Sequence, residues 1–102
     1  MLTTVVNLKH EEYDVYVGRA GHGQDGYFGN PYPLDVDTAT MRLAVIQAYK
    51  RYFLDRMDSD QEFKSRVLGL KGRRLGCFCK PKRCHADVIA EYLNNLPEFV
   101  QR

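Results

Sequence analysis

No apolar run in this chain approaches the roughly 20 residues needed to cross a bilayer, so a membrane-spanning helix is not expected. The opening MLTTVVNLKH has no apolar core of the signal-peptide kind, and the expected setting is the cytoplasm. Cysteine is scarce and odd in number, at three. Thiols stay reduced in the cytosol, so a disulfide framework is not expected either. Charge of one sign is also lacking. The net charge of +2 is compatible with nucleic acid or phosphate ligands without demanding them. There is no internal repeat, low-complexity tract or linker, and 102 residues suffice for one core and not two. Residues 1–102 are therefore expected to form a single α/β domain.

What is present is an ordered globular composition, 44% hydrophobic with seven Tyr and five Phe. TTVVNL (3–8) and YDVYVG (13–18) are rich in β-branched and aromatic residues and predict two strands, with HEE between them as a hairpin turn. A loop follows from Gly18 to about Val36, with five glycines and both prolines of NPYP. Loops of that length are uncommon in compact domains and are often functional. Asp37 or Thr38 can cap a first helix, in which Met41, Ala44, Val45, Ala48, Tyr49, Tyr52 and Phe53 follow helical spacing. Arg42, Gln47, Lys50 and Arg51 fall on the opposite, solvated face. SDQE (59–62) matches a capping box, and Phe63, Val67 and Leu70 would line a second helix. KGRRLGCFC turns at Gly72 and continues as a third strand. CHADVIAEYLNNL predicts a last helix that buries Val88, Ile89, Tyr92, Leu93 and Leu96 and stops before Pro97.

The order β-β-α-α-β-α points to a small α/β domain with a short, at least partly parallel sheet flanked by helices. Two helices between the second and third strands suit a parallel crossover pairing DVYVG with LGCFC. Ligands of open parallel sheets bind beyond the carboxyl ends of the strands. Both unusual segments, GRAGHGQDGYFGNPY and CKPKRCH, leave from such ends, so the two are expected to meet at one edge of the sheet.

Within the first segment, GHGQDG (21–26) formally matches G-x-G-x-x-G, but YFGNPYP follows where a dinucleotide fingerprint needs a helix. The dinucleotide reading is rejected. Gly18, Arg19, Gly29 and Asn30 remain as candidate ligand-binding residues. Arg19 is either a surface ion-pair partner or an anion clamp, and Asn30 either satisfies a turn or presents its amide to a ligand. His22 and His10 are expected to face solvent.

The second segment, CFCKPKRCH, places all three cysteines and one histidine within nine residues. In a strand Cys77 and Cys79 share a face. Cys84 and His85 open a helix, whose free N–H groups favour a thiolate or an anion. Three accounts stay open: a zinc site with Cys77, Cys79, Cys84 and His85 as ligands, a metal-free thiol or anion site, and plain packing. Neighbouring Cys84 and His85 rarely both reach one ion, and C-x-C-x4-C-H is not a zinc-finger, ribbon or knuckle spacing. In a catalytic site Cys79 or Cys84 would be the nucleophile and His85 the acid or base. Asp87 would orient His85 or bind a hydroxyl, unless it only compensates the helix dipole.

Taken together, VYVGRAG…GYFGNPYPL and LKGRRLGCFCKPKRCHADVIAEYL resemble the domain of unknown function 4326 of bacteriophages and bacteria. The likeness spans roughly residues 13 to 93 and rests on Gly18, Arg19, Phe28, Gly29, Asn30, Pro31, Cys77, Cys79, Pro81, Cys84, His85 and Asp87. Phe28 and Phe78 stand where the family often has tryptophan, a residue this chain lacks, and Ala86 where it often has glycine. The resemblance implies a phage-type intracellular module and no assigned activity. Three functions are therefore weighed. The first is a site at the strand ends for a phosphate-bearing partner, a small molecule such as a nucleotide or a nucleic acid. The others are a zinc-stabilised binding module without chemistry and a phage-encoded binder of a host protein through YFGNPY.

Overall fold

A computed structural model describes residues 2–21, 23–34, 36–80 and 82–96. Pro81 and His22 lie outside the described residues. The element order is β1 (Thr4–Asn7), β2 (Val15–Tyr16), α1 (Ala39–Ser59), α2 (Gln61–Leu68), β3 (Arg74–Cys77) and α3 (His85–Asn94). This is the β-β-α-α-β-α domain that the sequence pattern implies.

The sheet corrects one expectation. β1 and β2 do not form a hairpin; β3 lies between them in the order β1-β3-β2, parallel to both. A parallel neighbour cannot be reached by a tight turn, so residues 8–14 must return the chain to the start of β2. Asn7 begins the return, its side chain accepting from the Lys9 amide (3.0 Å) and donating to the Lys80 carbonyl (2.8 Å). Asp14 ends it, its carboxylate accepting from the Arg74 amide at 2.7 Å and pairing with the Arg74 guanidinium at 3.1 Å. The returning chain crosses one face of β3 at Gly76, where a Cβ would stand 2.7 Å from the Tyr13 ring. Glycine is needed there for space.

The other face of the sheet packs on the helices. Val17, Leu75 and Cys77 join Ile46, Tyr49, Phe53 and Met57 of α1, Phe63 and Val67 of α2, and Val88, Ile89 and Leu93 of α3 in one core. Tyr49, Phe53 and Phe63 are fully buried, and each such side chain contributes about 1.5–3 kcal/mol through burial. Thr38 caps α1, accepting from the Met41 amide at 3.1 Å. Asp60, not Ser59, caps α2: its carboxylate accepts from the Phe63 amide at 3.1 Å, while the Ser59 hydroxyl donates back to the Asp55 carbonyl.

The buried stripe of α1 is turned relative to the expected one. Met41 is 42% exposed and Ala44 is exposed, while Ile46 and Met57 are buried. Residues 42, 46, 49, 53 and 57 form the inner row, which takes Arg42 off the solvated face. Its side chain is only 16% exposed.

Candidate functional site

The two motif segments meet. A cavity of about 610 Å³ opens at the carboxyl ends of β2 and β3. Its lining includes Gly18, Arg19, Gly21 and Asn30 from one segment and Cys77, Phe78, Cys79, Cys84 and His85 from the other. Arg42, Val45 and Ile46 of α1 and Leu8, Tyr13 and Tyr16 also line it.

The glycine-rich wall is a brace. A Cβ on Gly29 would stand 2.6 Å from the Gly18 carbonyl oxygen and 2.9 Å from the Arg19 Cα. The two backbone segments can touch only because residue 29 has no side chain. Arg19 then donates from Nη1 to the Asn30 carbonyl, and the Tyr16 hydroxyl donates to the Arg19 carbonyl at 2.7 Å. Asn30 is buried, and its amide is engaged at both ends, donating to the Val45 carbonyl (3.1 Å) and accepting from the Tyr32 amide (2.9 Å). The turn role open to Asn30 is thus realised. Phe28 is tied in as well, its carbonyl accepting from the Tyr49 hydroxyl at 2.9 Å. Tyr27 and Phe28 pack on Phe63, with ring centroids 5.9 and 6.2 Å away. Of the YFGNPY segment's rings, Tyr32 is the exposed one, at 41%.

The cysteine wall is arranged differently. Cys77 ends β3 and Cys84 is the N-cap of α3, and their sulfurs lie 3.2 Å apart. Cys79 is half-buried and lines the same cavity as both of them and Arg42. The Cys77 and Cys84 thiols, with Arg42 after them, hold the Cys79 thiol well below its usual range. Cys77 is pushed up, chiefly by Cys79, and Cys84 is pushed up, chiefly by Cys77 and then Cys79. These directions favour the thiolate at Cys79 over the other two sulfurs. Arg42 is itself anchored, to the Asp37 carboxylate (2.8 Å) and to the Arg83 carbonyl (3.1 Å).

His85 is buried and its Nε2 lies 2.6 Å from the Val17 carbonyl oxygen. A carbonyl only accepts, so Nε2 carries the proton. Burial pushes the imidazole pKa down, which leaves a neutral ring with its lone pair on Nδ1. Asp87 is not part of the cavity wall. Its carboxylate accepts from the Cys84 amide at 2.9 Å and pairs with Lys80 at 3.0 Å. Together with the Cys84 side chain it forms a capping box. Its contacts are those of a cap and of dipole compensation.

The donor set fits zinc poorly in this geometry. Tetrahedral thiolates at about 2.3 Å from zinc stand about 3.8 Å apart, wider than the 3.2 Å between Cys77 and Cys84. His85 commits one ring nitrogen to Val17. Among the described residues no group of three or more His, Cys, Asp or Glu is placed to hold a metal ion. Sequence reasoning missed Arg42, although its place one turn before Ile46 on the inner row of α1 was a readable signal. It also missed Tyr13 and Phe78 as parts of the wall.

The profile of the family described as Domain of unknown function (DUF4326) matches residues 4–95. The chain belongs to this family. It is 38% identical over 95 residues to the "Uncharacterized 12.4 kDa protein in nrdA-td intergenic region" of Enterobacteria phage T4, covering 93% of this chain and 81% of the phage protein. No solved structure matches it. The DUF4326 match runs through both walls of the cavity, so the brace and the cysteine segment belong to one phage-type module. No helix among the described residues is long and apolar enough to cross a membrane.

Proposed function

We propose that the cavity binds a phosphate-bearing ligand of nucleotide size. One observation carries this: Arg19 and Arg42 line a single cavity whose remaining wall includes the rings of Tyr13, Tyr16 and Phe78. Guanidinium groups suit phosphate oxygens, and flat rings suit a base. A volume of about 610 Å³ falls within the ~300–1,000 Å³ usual for small-molecule sites. Position supports it too, since ligands of parallel sheets gather beyond the carboxyl strand ends. Arg19 would make the direct contact: it is exposed, and its hydrogen bond among the described residues is the one to Asn30. Arg42, already held by Asp37 and Arg83, would add charge from the wall.

Thermal unfolding of the full chain with nucleoside mono- and diphosphates and with pyrophosphate tests this. A ligand at a hundred times its Kd adds about 2.7 kcal/mol to stability, so at least one of these should raise the midpoint by several degrees. Arg19→Ala should abolish the rise while leaving the unliganded midpoint nearly in place. If no phosphate compound moves the wild-type midpoint, or if Arg19→Ala is stabilised as strongly, the proposal fails.

A further inference from the structure

The three thiols have no part in phosphate binding as just described, yet they are brought together at the cavity from two elements and a loop. We propose that Cys77 and Cys84 form a reversible intramolecular disulfide, reached through Cys79 by thiol–disulfide exchange with a small disulfide that enters the cavity.

The geometry carries the argument. The Cys77 and Cys84 sulfurs are 3.2 Å apart, and a disulfide needs about 2.0 Å. Both residues sit at element ends, the last position of β3 and the N-cap of α3, where a small closing movement disturbs little regular backbone. They are 1% and 3% exposed, too buried for direct attack by an outside molecule. Cys79 is half-buried on the wall of the same cavity that Cys77, Cys84 and Arg42 line. A guanidinium next to a sulfur favours the attacking thiolate. Disulfides of cytosolic proteins are characteristically transient, catalytic or sensing, and a site of this construction suits such use.

The exchange balances at each step. Cys79 sulfur attacks an external disulfide, forming a mixed disulfide and releasing one external thiol. Cys84 attacks Cys79 in that mixed disulfide and releases the second external thiol. Cys77 then attacks Cys84, forming the Cys77–Cys84 bond and returning Cys79 as a free thiol. In sum, two protein thiols lose two electrons and two protons, and one external disulfide becomes two thiols.

The test uses the full chain, with its metal content measured first by native mass spectrometry and oxidised glutathione as the probe. Intact mass should fall by two hydrogens per chain, and alkylation mapping should find Cys79 alone still reactive. The double variant Cys77→Ser, Cys84→Ser should stall with one glutathionyl group on Cys79. Cys79→Ser, a change at a half-buried position, should reach the same Cys77–Cys84 product about tenfold more slowly or worse. Circular dichroism of each variant confirms that a loss of reactivity is not a loss of fold. Three thiols that stay reduced in the folded wild type would overturn the proposal. So would a Cys79→Ser chain that oxidises at the wild-type rate, or a stoichiometric metal that shields the sulfurs.

Discussion

Between Gly18 and Asn30 the cavity wall is held by backbone lying against backbone, and each polar group named there has its partner inside the fold. Gly29 touches Gly18, Asn30 spans from Tyr32 to Val45, and Tyr16 ties down Arg19. Between Cys77 and His85 the wall is built instead from titratable side chains that crowd one another at the end of β3 and the start of α3. The contrast separates two meanings of a motif residue. Gly18, Gly29 and Asn30 build the cavity; Arg19, Cys79 and His85 face it. Substitutions in the first group should be read in stability, and those in the second in ligand or thiol chemistry.

The sharpest way to break that division is Gly29→Ala. Its new methyl would meet the Gly18 carbonyl oxygen at 2.6 Å, an overpacking against backbone that cannot rotate away. We expect a loss of about 3 kcal/mol, visible as a lower urea midpoint. An unchanged midpoint would mean that the brace does not hold the wall.

Asn30→Ala should come next, at about 2 kcal/mol, because the Val45 carbonyl and the Tyr32 amide each lose a partner. Asp87→Asn should cost less, about 1 kcal/mol. It weakens the cap on α3 and removes the pair with Lys80, and equilibrium unfolding would show it. If Asp87→Asn instead left stability alone and abolished ligand binding, Asp87 would have to move into the group that faces the cavity.

The smallest expected effect is a pH dependence from His85. Its pKa is lowered in the fold by burial, so the unfolded chain binds a proton that the folded chain resists. Stability is therefore full above the unfolded value of about 6.5 and falls as pH drops from there toward the folded pKa. Urea midpoints between pH 7.5 and 5.5 should decline more for wild type than for His85→Gln, whose amide can still donate to Val17. Equal slopes would show that His85 does not titrate differently in the two states.

Much of this was readable from residue pattern. The parallel pairing of DVYVG with LGCFC follows from two intervening helices, and the meeting of the two loops follows from strand direction. The hairpin at HEE was misleading because the separation of β1 and β2 depends on β3, far along the chain. The local turn chemistry of Asn7 is compatible with either arrangement, and the Asp14–Arg74 pair forms only once β3 is in place. Arg42 was misplaced because the apolar row of α1 was centred on Ala44 and Val45 instead of Ile46, and one such step moves a neighbour from solvent to the wall. The glycines of the brace could not be told from ligand-contacting glycines by sequence, since both need a missing Cβ.

The most direct measurement is a backbone amide NMR titration of the full chain with a nucleoside 5′-monophosphate. Shifts concentrated in 18–30 and 77–86, and lost in Arg19→Ala while the remaining spectrum stays in place, are the result we expect. Saturating shifts confined to the exposed face of α1 or to 9–12, or no shifts at all, would contradict a ligand site at the strand ends.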